Sequence, residues 1–189
     1  MHPYRRHLLL SLAALASGRA FAQVLNSPLG APPADGAGAG AGPMGLPHGQ
    51  GAGVHSPQSP IAPLPRRDDV VAWSLLTDVK TEVKTVAKRK RVVPVYPPEV
   101  RALDQRRLKL HGFMLPLEPG ENQRHFLLAS VPLTCSFCTP GGAESLVEVR
   151  TKTPVKYRLE AVVVEGKFHV LDNDPYGLYY RLSEAEGSR

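Results

Sequence analysis

The stretch Leu108-Lys109-Leu110-His111-Gly112-Phe113-Met114-Leu115-Pro116-Leu117 decides how this chain folds. Leu108, Leu110, Gly112 and Met114 alternate with Lys109, His111 and Phe113. A period of two is the signature of a strand with one buried face. Gly112 lies inside the run, and a residue without Cβ permits the bend or bulge by which a small barrel coils its first strand. Downstream, the same period predicts strands at 126–131, 146–150 and 157–163. Glu165-Gly166 is expected to turn the last of these into a fifth strand carrying Phe168 and Val170. Leu178, Tyr180 and Leu182 mark a sixth, shorter one. Five or six short strands in about 80 residues predict a mainly β domain, a small OB-like Greek-key barrel.

Upstream the pattern differs. Val71, Leu75, Val79, Val83 and Val86 recur every three or four residues among Lys80, Glu82 and Lys84, which predicts a short amphipathic helix within 68–86. Four consecutive cations follow, Lys88-Arg89-Lys90-Arg91. Such a run is a solvated surface loop or a contact for a polyanion or for anionic membrane headgroups. Pro94, Pro97 and Pro98 are then expected to forbid a long regular element.

At the N-terminus, Arg5 and Arg6 precede the apolar run Leu8 to Leu15 and then Ala20-Phe21-Ala22. This is the order of a cleavable secretory signal, residues 1–22, cut after Ala22. The Arg pair also looks like a twin-arginine leader. The apolar run is far shorter than the roughly 20 residues of a spanning helix, so the processed chain is expected not to span a membrane. Export places the protein in the periplasm. The formal charge of +6 includes Arg5, Arg6 and Arg19; without them 20 basic residues face 17 acidic ones. Nucleic acid is therefore not an expected partner. Residues 23–67 are rich in Ala, Gly and Pro and predict a disordered tether, with His48 and His55 as spacer residues or a weak metal pair. That leaves 68–186 for a single β-rich domain.

The chemistry of the chain centres on its two cysteines, Cys135 and Cys138, spaced C-x-x-C. This spacing suits an intraloop disulfide, half of a metal site, or a redox pair. An oxidising compartment favours the disulfide. A redox pair wants a helix after the first cysteine, and Pro140-Gly141-Gly142 does not continue as one. A zinc or copper site needs further ligands; of His111, His125 and His169, the one nearest in sequence to the loop is His125, so Cys135, Cys138 and His125 form the candidate metal set. His111 and His169 alternate against apolar neighbours and are expected at the surface. Glu144 and Glu148 flank the loop, and Asp172-Asn173-Asp174 is read first as turn chemistry. No acid pair, phosphate loop or Ser-His-Asp arrangement offers a catalytic centre, so no enzyme is expected.

The run Pro97-Pro98-Glu99-Val100-Arg101-Ala102-Leu103-Asp104, with the stretch quoted at the outset, resembles the bacterial domain-of-unknown-function family numbered 3299. So do Phe126-Leu127-Leu128, Cys135-Ser136-Phe137-Cys138, Leu146-Val147-Glu148-Val149, Val162-Val163-Val164-Glu165-Gly166, Leu178-Tyr179-Tyr180-Arg181-Leu182 and the upstream Trp73. The resemblance implies an exported protein, often encoded beside ABC-type transporters of the lipoprotein-release or macrolide-export kind and sometimes in zinc-responsive operons. It brings no catalytic residue with it. Together these features predict a non-enzymatic periplasmic binding or accessory module, zinc-related and serving an ABC-type envelope system. The alternatives are a thiol-disulfide enzyme using Cys135 and Cys138, or an OB-type binder of polyanions or membrane surfaces.

Overall fold

The structure is a computed structural model that describes residues 50–86 and 89–188. The expected leader 1–22, His48 and most of the expected tether lie outside the described residues, as does Lys88. In chain order the elements are α1 (Trp73–Leu76), β1 (Lys80–Val86), β2 (Arg89–Val95), α2 (Pro98–Arg101), β3 (Arg107–Pro116), β4 (Asn122–Ala129), a 3₁₀ turn (Ala143–Ser145), β5 (Leu146–Lys156), β6 (Val162–Val170) and β7 (Tyr180–Ser188).

Five strands close into a barrel in the order β3-β4-β5-β7-β6. All neighbours are antiparallel except β5 and β7, which run parallel. The mainly β, OB-like expectation therefore holds. Closure depends on β3, because residues 107–112 pair with β6 and 113–116 with β4. The change of partner falls at Gly112. A Cβ there would lie 2.7 Å from the Ala129 carbonyl oxygen and 2.8 Å from Leu128 Cγ, so the crossing is closer than any other residue allows.

Alternate residues face inward: Leu110 and Met114 from β3, Phe126 and Leu128 from β4, Val147 and Val149 from β5, Val162, Val164 and Phe168 from β6, Tyr180 and Leu182 from β7. Phe168 and Tyr180 stack at 5.3 Å between centroids. Leu76 of α1, Val100 of α2 and Tyr96 join the same core. Polar atoms of these residues are matched: Tyr180 Oη donates to the Leu76 carbonyl at 2.7 Å and Tyr96 Oη to those of Leu171 and Tyr179. Buried phenols without such acceptors would cost about 1–3 kcal/mol each.

Several expectations are corrected. Only four residues of 68–86 are helical; Lys80–Val86 is instead β1, paired with β2 as a two-stranded ribbon. The β-branched Val79, Thr81, Val83 and Thr85 alternate with Lys80, Glu82 and Lys84, and this period of two prevails over the coincidental helical spacing. Pro94 does not stop β2, where it sits opposite Thr81. Each strand of a two-stranded ribbon has a free edge, and a missing N–H is tolerated there. Residues 157–161 form a loop, not a strand, and Glu165-Gly166 is not a turn: β6 runs through it, with a bulge against β7 between Glu165 and Lys167. A Cβ at Gly166 would meet the Ser183 carbonyl at 2.8 Å, so the glycine allows the bulged strands to close up. β7 is nine residues long rather than short.

The tether expectation fails at its end. Val54 and Thr139 exchange backbone hydrogen bonds of 2.8 and 2.9 Å, and Ser130 Oγ donates to the Ala52 carbonyl. Gly53 approaches so closely that a Cβ would lie 2.5 Å from Thr139 O. Alanine and glycine here serve backbone contact instead of flexibility, a distinction that composition does not make.

Candidate functional site

The outer faces of β4, β5 and β7 carry the polar chemistry. Register sets Leu127 opposite Glu148, His125 opposite Arg150, and Glu148 beside Arg181. One end of this surface is apolar: Leu127, Ala129 and Leu146 pack with Leu178, Leu115, Leu133 and Leu171 beneath the loops 130–145 and 171–179. The other end is charged and organised around Glu148, whose side chain is only 6% exposed. Its Oε1 lies 2.8 Å from His125 Nε2 and accepts from Arg150 Nη2 at 2.7 Å; Oε2 accepts from Arg181 Nε at 2.5 Å. Burial alone would raise the Glu148 pKa, but hydrogen bonds from Arg150, Arg181 and His125 outweigh it and hold the carboxyl below its ordinary value.

Arg181 also reaches Asp174 Oδ2 at 3.2 Å. Asp174 Oδ1 accepts the backbone N–H groups of Tyr176 and Leu178, which is the turn chemistry foreseen for Asp172-Asn173-Asp174. The other two residues of that turn pair with distant cations: Asn173 Oδ1 accepts from Arg91 at 2.8 Å, and Asp172 holds Arg101. Arg101 lies 4.7 Å above the Tyr96 ring. A cleft of about 490 Å³ opens here between the ribbon and the turn, lined by Glu82, Lys84, Tyr96, Arg101, Asp172 and Asn173 among others.

Beside the apolar end lies the cysteine loop. Cys135 and Cys138 are joined as a disulfide with their Cα atoms 5.4 Å apart. Two successive turns shape it, the Cys135 N–H on the Pro132 carbonyl and the Cys138 N–H on the Cys135 carbonyl. Cys135 is buried, while Phe137 at the apex is 62% exposed. Intact mass of unreduced protein should show no thiol open to alkylation, with two appearing after reduction. Two reactive thiols before reduction would contradict the bridge. Closing so short a loop stabilises by at most about 2 kcal/mol, so the bridge chiefly fixes the turn.

The candidate metal set is not brought together. His125 is held by Glu148, and among the described residues no group of three His, Cys, Asp or Glu side chains is placed to hold a metal ion. His111, expected at the surface, is buried at 8% exposure; its carbonyl accepts the Trp73 indole N–H at 2.8 Å, and burial lowers its pKa. His169 is half-buried, held between Gln105 and Ser183 Oγ, and burial lowers its pKa. His55 reaches the Ile61 carbonyl. Arg150 and Arg181 were not singled out from the sequence. Their only signal was an outward place in a period of two, which says nothing of a carboxylate 33 residues away from Arg181. Among the described residues no helix is long and apolar enough to cross a membrane.

A family model described as a protein of unknown function, DUF3299, matches residues 57–178. Among solved structures, the chain is similar to the crystal structure of a DUF3299 family protein from Pseudomonas aeruginosa PAO1. The identity is 24%, over 51% of this chain and 68% of that one, with a TM-score of 0.37. No curated protein matches.

Proposed function

We propose, from the premise that this chain belongs to the DUF3299 family, that it works in the periplasm as a non-enzymatic docking module of an ABC-type envelope system. One observation carries this: the Cys135–Cys138 bridge staples a turn that presents Phe137, 62% exposed, to solvent. Bridged cysteines suit an oxidising compartment. A rigid loop with an aromatic apex loses little entropy on binding, which makes it a good anchor. The ABC-type partner is what the family resemblance implies. A zinc site on Cys135, Cys138 and His125 would first require the bridge to be reduced, whereas docking uses the loop as it stands. A photoreactive residue at position 137 should crosslink, in intact envelopes, to an ABC-type permease. No crosslink to such a permease would reject the proposal.

A second surface favours the polyanion alternative. The β1–β2 ribbon carries exposed Lys90 on the face of Val83, itself 66% exposed, and exposed Lys80 and Lys84 on its other face. Phosphatidylglycerol vesicles should bind the protein at low salt and release it as the screening length falls from about 10 Å at 0.1 M to 3 Å at 1 M. Lys84→Glu with Lys90→Glu should abolish binding. Salt-independent binding would exclude this role.

A further inference from the structure

Glu144 is fully buried, and its Oε2 has no hydrogen-bond partner among the described residues. Its Oε1 accepts, among the described residues, the backbone N–H of Gly51 at 2.8 Å. Against its other side lies Gly142, where a Cβ would come within 2.6 Å of either carboxylate oxygen. A buried carboxylate with a single amide donor falls far short of the pairing such a charge needs. The missing complement is a cation with several hydrogens at the position of the Gly51 nitrogen, and an α-ammonium group is that donor. Buried capture of a chain's N-terminal amine is a known mode of recognition.

The geometry points to the Gln50–Gly51 bond as a processing site, with the new ammonium of Gly51 as the ligand of Glu144. An endopeptidase hydrolyses the bond with one water; Gln50 departs as a carboxylate, and the Gly51 amine takes up a proton. Gln50 is exposed. The residues before it are rich in Pro, Gly and Ala, a composition in which nicking concentrates. Everything after the cut is already in place. Ala52 is held by Ser130 and Val54 by Thr139, so the new terminus starts in the position it must occupy. The consequence is a second fastening on the loop 130–145 that carries the disulfide.

The test uses the exported chain beginning at Gln23. Pro47→Ile, His48→Glu and Gln50→Arg, around the existing Gly49, create a factor Xa sequence whose cleavage leaves Gly51 first. Cutting the folded protein should raise Tm by about 4 °C. In a second chain, Leu46→Ile, Pro47→Glu, His48→Gly and Gly49→Arg move the cut one residue earlier. The amine is then displaced by about 3.8 Å, and Tm should not rise. Adding Glu144→Gln to the first chain should likewise remove the gain. Protein taken from its native compartment should begin at Gly51. Equal Tm changes for the two cuts, or a native N-terminus at Gln23 alone, would overturn the assignment.

Discussion

Gly112→Ala should destabilise the domain by about 3 kcal/mol and lower Tm by roughly 10 °C, although it adds a single methyl group. The added carbon would lie 2.7 Å from the Ala129 carbonyl oxygen, 2.8 Å from Leu128 Cγ and 3.2 Å from the Trp73 ring. Backbone on the facing strand cannot step aside without disturbing the pairs Phe113–Ala129 and Met114–Leu128. Those pairs are where β3 leaves β6 for β4, so the strain falls on barrel closure. Gly187→Ala is the matched control. It stands in β7, and its Cβ would meet Val155 at 3.6 Å, an ordinary contact. That variant should fall within about 0.5 kcal/mol of the parent. Urea denaturation of both variants measures the difference, and similar midpoints would show that Gly112 is not a point of close crossing.

Glu148→Gln should cost about 2–3 kcal/mol at pH 7, the second largest effect expected. The amide keeps the volume but removes the charge that His125, Arg150 and Arg181 share. Arg150 is more than half exposed and can turn to water, whereas Arg181, at 30%, is left between a neutral amide and Asp174. The pH dependence has a definite sign. The Glu148 pKa is depressed in the folded state. Its contribution is therefore present above the unfolded value of about 4.3 and is lost as pH falls through the folded value. The gap between parent and variant should be full at pH 7 and shrink below about pH 4. A gap that persists unchanged into acid would mean that the charge is not what stabilises this face.

How much was legible beforehand differs by feature. Residues 108–114 announce a strand because side-chain alternation is written in consecutive residues, although Leu110 to Met114 are buried on both faces. Gly112 was legible for the same reason, as an interruption within a strong pattern. The C-x-x-C spacing of Cys135 and Cys138 left a disulfide, a metal half-site and a redox pair open, and the structure joins the two as a disulfide. The ribbon was misread because Val79 and Val83 satisfy both a helical and a strand period, and the tie is broken by pairing with 89–95, which no local window contains. Gly166 read as a turn because a glycine that allows a bulge and one that allows a reversal look alike in sequence. The candidate metal residues are not brought together, because His125 is near the cysteines along the chain whereas its strand turns it toward Glu148.

What the chain determined alone was therefore local: that 108–114 runs as a strand, that Gly112 interrupts it, and which two thiols lie close enough to meet. What folding alone decided was every partnership across the barrel. Glu148 meets Arg181 because β5 and β7 lie parallel, and Glu144 meets Gly51 across 93 residues. Side-chain alternation is set by the stereochemistry of consecutive peptides, whereas these pairings arise only when barrel closure brings distant strands and loops into register.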